Sequence, residues 1–236
     1  MDQAVFGLIG CGGIARNQHL PNLTRAPSAR LKTVCDVDED RLRTHQQRYG
    51  VPEATTNYHD VLADAEIQAV VIATREDMQV PLTIEALQAG KHVYVEKPLA
   101  TEAEACERVV AAQEAAGTLV AVGLNRRFAP ALRQAKTALD AHGGARNIHY
   151  RICDEYWRWG KNLPDGVRVI HEICHVFDVI RWITGSDVRS VYCVDSRADD
   201  EVIVLTLDGC VAAISDSGYG TRDLPKEVFW AAAEKG

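Results

Sequence analysis

The chain has 236 residues, of which 47% are hydrophobic and 25% charged, and its formal net charge is -7 at pH 7. This composition is typical of a globular protein with one large or two small domains. The negative charge argues against a nucleic-acid or acidic-membrane partner, and no apolar run approaches the roughly 20 residues that span a bilayer. The N-terminus lacks the pattern of a signal peptide. Seven scattered cysteines without a C-x-x-C pair favour reduced thiols and a cytoplasmic location.

The first motif is a glycine-rich turn after a short apolar run. Val5–Ile9 is typical of a buried strand, and a helical pattern follows the turn. The turn itself matches the dinucleotide-binding fingerprint G-x-G-x-x-A, in which glycines allow a tight turn and a close approach to a pyrophosphate. We therefore predict cofactor contacts at Gly10, Gly12, Gly13, Ile14 and Ala15. A purely structural glycine turn is the alternative.

An acidic residue ends the second predicted strand. Asp36 follows Leu31–Cys35, close to the distance at which the fold places an acid on the ribose hydroxyls. A carboxylate there favours NAD and repels the additional phosphate of NADP. The sequence therefore predicts NAD as the cofactor, with NADP as the less favoured choice, unless Asp36 is only a surface residue.

Strands and helices alternate as far as Val122. This alternation predicts a Rossmann domain over residues 1–123, with a doubly wound parallel sheet covered on both faces. Thr101 and Glu104 match a capping box. The predicted strands are Val5–Ile9, Leu31–Cys35, Ala69–Ala73, His92–Val95 and Leu119–Val122, and the predicted helices are Ile14–Leu23, Asp38–Tyr49, His59–Ala63, Val80–Ala89 and Glu102–Ala116.

The pattern changes after Gly123. Residues 124–236 predict a second, α+β domain with an open, mostly antiparallel sheet. Its final segment, Lys226–Gly236, fits either a strand or a helix. The other predicted elements are helices Pro130–Ala141 and Val169–Thr184 and strands Asn147–Cys153, Val188–Val194, Glu201–Leu207 and Cys210–Asp216.

A strand ends in Glu96-Lys97-Pro98 at the carboxyl edge of the first sheet, where open α/β sheets bind their ligands. A lysine there can hydrogen-bond a substrate hydroxyl, and its charge can stabilise an alkoxide that develops during hydride transfer. A solvated lysine after a strand is the alternative.

Several segments together resemble the Gfo/Idh/MocA family, the relatives of glucose–fructose oxidoreductase and inositol dehydrogenase. The resemblance implies a Rossmann domain, a C-terminal α/β domain with an open sheet, and an NAD(P)-dependent reaction on a hydroxyl or carbonyl of a sugar, sugar acid or cyclitol. The segments are GCGGIA at 10–15, Asp36, VVIAT at 70–74, AGKHVYVEKPLA at 89–100, GLNRRFAP at 123–130 and CHVFDVIRWITG at 174–185.

The resemblance also implies roles for single residues. Lys97 matches the catalytic lysine, and His175 matches the histidine that exchanges the substrate proton. Thr74 and Glu96, together with Lys97, match residues beside the cofactor. Near the active-site mouth, Asn125 is assigned to the cofactor and Arg126 to the substrate. Trp157 and Trp159, in an aromatic loop, fit a sugar-binding wall or a plain hydrophobic cover.

The chain departs from the family pattern at three points. His171 stands where many members have an Asp, so either Glu172 or Asp178 compensates at the catalytic or substrate site, or catalysis differs or is lost. Gln79 stands where relatives often have His. The chain is also shorter than its relatives, so we expect open sheet edges and an uncovered apolar face, which favour a homo-oligomer.

Two other functions compete with a dehydrogenase. His171-Glu172-Ile173-Cys174-His175 spells H-E-x-x-H, the helical zinc motif of metallopeptidases, although no third ligand is obvious. We assign no metal. The second alternative is a cofactor-binding sensor or partner subunit without catalysis, because a fold does not determine function.

Overall fold

The computed structural model describes residues 3–155, 167–197, 199–221 and 223–235. The chain forms two compact units, Met1–Gly123 and Leu124–Gly236. No helix in the described ranges is both long enough and apolar enough to cross a bilayer.

The N-terminal unit contains a sheet of six parallel strands. Their order, β3-β2-β1-β4-β5-β6, is that of the doubly wound dinucleotide-binding fold. The predicted Rossmann sheet is thus confirmed. The strands are β1 (Ala4–Ile9), β2 (Ala29–Cys35), β3 (Glu53–Thr55), β4 (Ala69–Ile72), β5 (His92–Val95) and β6 (Val120–Val122).

Helices follow the strands, with some bounds that differ from the prediction. The predicted helix after the glycine turn begins as a π-helical segment, Ala15–His19. The fourth helix begins at Glu76 rather than Val80 and contains Pro81. The predicted capping box is absent, because Glu102 is the N-cap and its side chain makes no capping bond. The helices are α1 (Leu20–Arg25), α2 (Glu39–Tyr49), α3 (Tyr58–Ala63), α4 (Glu76–Gln88) and α5 (Ala103–Ala116).

Alternate residues of the parallel strands enter two hydrophobic cores. Val70 and Ile72 pack on one face of the sheet, whereas Leu8 and Val71 pack on the other. The register pairs the last residues of β1, β2, β4 and β5 with one another. Residues that follow these strands therefore emerge at one carboxyl edge.

The C-terminal unit has a five-stranded mixed sheet in the order β11-β7-β10-β9-β8. Among the described strands of this sheet, only β7 and β10 pair in parallel, so the predicted open, mostly antiparallel sheet is confirmed. Segment 226–236 contains a strand, as one of the two alternatives proposed. The strands are β7 (Ala145–Cys153), β8 (Val188–Arg197), β9 (Asp200–Leu207), β10 (Cys210–Ser217) and β11 (Glu227–Ala233).

Helices cover one face of this second sheet. α6 (Pro130–Ala141) and α7 (Cys174–Thr184) pack on it through a shared apolar core, and a π-helical segment, Val169–Ile173, leads into α7. The opposite face, which we call the outer face, has no covering layer among the described residues. It carries several large exposed apolar side chains, namely Tyr192, Val194, Val202, Val211, Val228 and Trp230.

Candidate active site

The glycine turn after β1 leaves an open space above the first helix. Gly10 has a φ of 92°, and a Cβ there would lie 2.4 Å from the Ala73 carbonyl oxygen, so a side chain is excluded by the protein itself. A Cβ at Gly12 or Gly13 would meet nothing within 4 Å. No packing within the described residues requires glycine at these two positions, which leaves the backbone open to a ligand. Ala15 is fully buried beneath the turn, and Ile14 is 44% exposed.

Asp36 is buried at the end of β2 and binds the glycine turn directly. Its Oδ2 accepts a hydrogen bond from the Cys11 backbone N–H at 2.7 Å, and its Oδ1 accepts one from Asp38 at 3.0 Å. Arg41 Nη1 donates to both carboxylate oxygens, at 3.1 and 3.2 Å. This carboxylate raises the pKa of Arg41. Burial, helped by Asp36, raises the pKa of the Cys11 thiol to about 12 and leaves it uncharged.

Glu96, the residue after β5, links the strand end to the first helix. Its Oε1 lies 2.7 Å from His19 Nε2, and the His19 ring contacts Tyr94 edge-on at 5.4 Å. Burial raises the pKa of the Tyr94 hydroxyl. Gly123 makes room for this group, because a Cβ there would lie 2.9 Å from the Tyr94 hydroxyl and 3.2 Å from Glu96 Oε2.

Lys97 is half-buried, and its backbone N–H donates to Glu96 Oε2 at 3.3 Å. Thr74 is half-buried after β4, and its hydroxyl donates to the Arg75 carbonyl at 3.3 Å. Gln79 lies beneath this edge and is only 2% exposed.

The residues at this edge fit an adenine dinucleotide. The uncovered backbone at Gly12 and Gly13 opens a helix N-terminus, which attracts phosphate. The carboxylate of Asp36 is fixed at the end of the adjacent strand, where the fold contacts the ribose. The sequence singled out both features. It did not single out Arg41 or His19 as partners of the two acids, although Arg41 follows Asp36 by five residues at the start of a helix.

In the C-terminal unit, four predicted residues lie along one helical stretch. His175 and Asp178 are buried on α7, and His171 and Glu172 are half-buried in the π-helical segment before it. Glu172 Oε2 lies 3.1 Å from Lys226 Nζ, which also lies 3.2 Å from Asp154.

A short 3₁₀ turn, Asn125–Phe128, carries two arginines that are tied to acids of the same unit. Arg127 donates through Nε and Nη2 to the Asp178 carboxylate, at 2.6 Å for the Nε bond. Arg126 Nη2 lies 2.7 Å from Glu227, which also accepts from the Tyr150 hydroxyl at 2.7 Å. The predicted substrate residues Arg126 and Asp178 therefore carry internal ion pairs.

The structure does not describe the predicted aromatic wall, and it shows no metal cluster among the residues that it describes. Trp157 and Trp159, assigned to a sugar-binding wall, lie outside the described residues. Among the residues that are described, no group of three or more His, Cys, Asp and Glu side chains could hold a metal ion.

The glycine turn and strand edge belong to a known class of domain. The model of the Gfo/Idh/MocA oxidoreductase family, described as an NAD-binding Rossmann fold, matches residues 5–124. The chain belongs to the Gfo/Idh/MocA family. The resemblance read from the sequence is thus confirmed, as is the NAD-binding Rossmann domain. The H-E-x-x-H sequence, residues 171–175, overlaps the CHVFDVIRWITG segment that carries part of this resemblance at Cys174 and His175.

Individual Gfo/Idh/MocA relatives cover much of the chain. It is 32% identical over 212 residues to an inositol 2-dehydrogenase of Burkholderia ambifaria, which corresponds to 85% of this chain and 63% of that protein. The crystal structure of a probable dehydrogenase from Thermotoga maritima is 26% identical, with a TM-score of 0.86 over 98% of this chain and 74% of that one. The fold also matches scyllo-inositol dehydrogenase from Lactobacillus casei with bound NAD(H) and scyllo-inositol, at 23% identity and a TM-score of 0.88, over 100% of this chain and 75% of that one.

Proposed function

We propose that this Gfo/Idh/MocA chain is an NAD-dependent dehydrogenase that acts on a hydroxyl or carbonyl carbon of a sugar, sugar acid or cyclitol. The observation that carries the proposal is the edge formed by the open glycine turn, the fixed Asp36 carboxylate and Lys97. The similarity to the Burkholderia inositol 2-dehydrogenase supports a polyol as the substrate, and the chain spans 63% of that enzyme's length.

At the carboxyl edge of the first sheet, different residues would bind different parts of the cofactor. Gly12 and Gly13 would hold the diphosphate with backbone N–H groups, and Asp36 would accept from the ribose. Bound NAD supplies the hydride acceptor. The Lys97 ammonium stabilises the negative charge that develops on the substrate oxygen, which is the role that a fixed cation performs best in a water-poor site.

We assign to His175 the role of accepting the proton of the reacting hydroxyl. A histidine is neutral near pH 7 and can accept a proton at that pH. Glu172 forms an ion pair with Lys226. We therefore assign Glu172 to orienting His175 rather than to proton transfer. Asp178 accepts a hydrogen bond from Arg127, and this bond ties α7, the helix that carries His175, to the 3₁₀ turn.

The proposal is tested by following NAD reduction at 340 nm with myo-inositol, scyllo-inositol, free sugars and sugar acids. NADP is run in parallel, and NAD binding is measured by calorimetry on the same samples. We expect turnover with at least one polyol and a preference for NAD. NAD binding without turnover across the panel would favour the sensor or partner subunit, and no binding of either cofactor would refute the proposal.

The second sheet supports a further proposal, that two copies of the chain associate through the outer face. Trp230 is 55% exposed and Tyr192 is 68% exposed on it. Exposed apolar patches of this kind mark protein contacts, and most homo-oligomers are symmetric dimers or their multiples. Light scattering should show a mass above that of one chain, which Trp230→Glu reduces. Val110→Glu, at an exposed apolar position of the N-terminal unit, is the matched control. The seven cysteines form no disulfide bond with one another, which supports a reducing compartment such as the cytoplasm.

A further inference from the structure

Gln79 is an unusual residue to bury beneath the strand edge. Its side chain is on α4 and is 2% exposed, between the apolar core and the residues that follow β4 and β5. A buried amide destabilises the fold unless its polar atoms find partners, so the contacts of Gln79 indicate why it is there.

The orientation of the Gln79 amide follows from those contacts. In one orientation the nitrogen makes a single long contact, 3.5 Å from the Thr74 carbonyl. In the other orientation the nitrogen donates to the Glu96 carbonyl at 2.8 Å and also to the Pro98 carbonyl. Two N–H donors then meet two acceptors, so the second orientation is the one that satisfies the network.

The two carbonyls that Gln79 binds belong to the residues on either side of Lys97. The backbone at Lys97 is also bound from its own side, because its N–H donates to Glu96 Oε2. The Glu96 carbonyl belongs to the Glu96–Lys97 peptide and the Pro98 carbonyl to the Pro98–Leu99 peptide, so a single buried side chain anchors the backbone on both sides of the Lys97–Pro98 pair. The direction in which the Lys97 side chain leaves the backbone depends on the backbone dihedral angles of Lys97, and anchoring the peptide before the lysine and the peptide after Pro98 restricts those angles.

We propose that Gln79 is a positioning residue, which sets the direction of the Lys97 ammonium by binding the carbonyls of Glu96 and Pro98. The inference rests on the proposed role of Lys97 in the dehydrogenase reaction. A displacement of about 1 Å in a reacting group can lower a rate on the order of a hundredfold, so the effect of losing the clamp falls on turnover. Gln79 itself touches neither cofactor nor substrate in this role.

The decisive variant is Gln79→Met, which keeps the length of the side chain and removes both donors. Gln79→His restores an N–H donor and serves as the rescue. Thr83→Val is the matched control, because Thr83 is fully buried on the same helix and its hydroxyl has no hydrogen-bond partner among the described residues. Gln79→Asn, whose amide is one methylene too short to reach the carbonyls, replaces Gln79→Met if that variant does not fold.

Three measurements are made on each variant of the full chain. Turnover with NAD and myo- or scyllo-inositol should fall about tenfold or more in Gln79→Met, while the dissociation constant of NAD changes less than twofold. Trace acetylation with acetic anhydride, read by peptide mass spectrometry, should label Lys97 at least threefold faster, because the lysine is no longer held. Hydrogen exchange of the peptide that contains residues 92–100 should accelerate. Gln79→His should recover a large part of each loss, and Thr83→Val should resemble the wild type.

Acetylation and hydrogen exchange do not require turnover, so they separate this inference from the proposed function. If the wild type reduces no NAD with any polyol, the proposed function fails, and the labelling of Lys97 still decides whether Gln79 positions it. Wild-type labelling and exchange in Gln79→Met would overturn the inference. A loss of NAD affinity at unchanged turnover would overturn it as well, because Gln79 would then support the cofactor site.

Discussion

The Asp36 carboxylate accepts a hydrogen bond from the Cys11 backbone N–H at 2.7 Å, so the acid at the end of β2 and the glycine turn after β1 form one unit. Arg41 binds the other side of the same carboxylate. The carboxylate is therefore fixed before any ligand arrives, and little side-chain entropy remains to be lost on binding.

Replacing Asp36 with Ala should weaken NAD binding by about tenfold or more, since each 1.4 kcal/mol corresponds to a factor of ten. The change also frees Arg41 and removes the charge that repels a 2′-phosphate, so NADP affinity should fall less or rise. Calorimetric titration with both cofactors measures the ratio. Arg43→Ala, which breaks an exposed pair with Asp40 on the same helix, should leave both affinities unchanged. An equal loss for NAD and NADP would count against the ribose assignment.

Replacing Lys97 with Ala should lower turnover by a factor on the order of 10² to 10³, the range observed when one charge-stabilising group is removed. NAD affinity should be largely kept, because Lys97 is assigned to the substrate oxygen. Steady-state kinetics and calorimetry on the same variant separate the two effects. Unchanged turnover would remove Lys97 from the reaction, and Lys136→Ala provides a lysine control from the C-terminal unit.

His175 is expected to set the acidic limb of the rate profile. If it accepts the substrate proton, kcat/KM for polyol oxidation should rise with pH as the imidazole loses its proton and then level off. His175→Asn should lower turnover by about 10² to 10⁴ and abolish that limb. A pH profile that keeps its acidic limb in the variant would assign the proton transfer to another group.

Lys91 is buried at the opposite edge of the first sheet and should contribute to stability. Its ammonium donates to the carbonyls of Asp64 at 2.6 Å and Ile67 at 2.8 Å, and burial lowers its pKa. Lys91→Met removes both bonds and should lower the free energy of unfolding by about 2–3 kcal/mol.

The control for Lys91→Met is Arg30→Ala, which breaks an exposed ion pair with Glu66, a residue between Asp64 and Ile67. This variant should lower the free energy of unfolding by less than about 1 kcal/mol. All four tryptophans lie after residue 123, so tryptophan fluorescence follows only the C-terminal unit. The effect of Lys91→Met should therefore appear in calorimetry and circular dichroism and be small in fluorescence. Equal destabilisation by the two variants would show that the buried bonds add nothing.

The C-terminal unit should lose stability as the pH rises. Burial raises the pKa of Glu201 and raises the pKa of Asp216 to about 7, even though Asp216 binds the fully buried Arg168. A carboxyl whose pKa is raised by folding binds its proton more tightly in the folded state, so its contribution is present at low pH and disappears through about pH 7.

Glu201→Gln is neutral at every pH and should make the free energy of unfolding depend less on pH between pH 5 and 8. Urea unfolding followed by tryptophan fluorescence measures it directly. Asp195→Asn, an exposed carboxyl paired opposite Glu201 in the sheet, should retain the wild-type slope. Identical slopes in Glu201→Gln and the wild type would contradict a raised pKa at Glu201.

The sequence predicted those parts of the molecule whose signal is local. Strands such as His92–Val95 have the bounds predicted, and the helix predicted to end at Ala116 does end there, followed by Gly117 in the left-handed conformation that glycine favours. β3 was missed because Glu53–Thr55 is short and lacks the apolar residues that mark a strand. The start of α4 was placed too late, at Val80, whereas the helix begins at Glu76 and contains Pro81.

The contacts within the site could not be predicted in the same way. Cys11 and Asp36 are 25 residues apart, and His19 and Glu96 are 77 apart, so each pair exists only through the order of the strands. Gln79 was recognised only as a departure from the family pattern. Its two acceptors are backbone carbonyls, which carry no side-chain signature, so its role became visible only in three dimensions.

The pairing of β7 has a consequence for synthesis on the ribosome. Both neighbours of β7, β10 and β11, are translated after it, and residues 227–233 are the last described strand to emerge. A nascent chain that has reached Ser217 has a complete first sheet but leaves one edge of β7 unpaired, and such an edge templates aggregation. Slow translation or a ribosomal pause in this interval should therefore increase the demand of the nascent chain for chaperones.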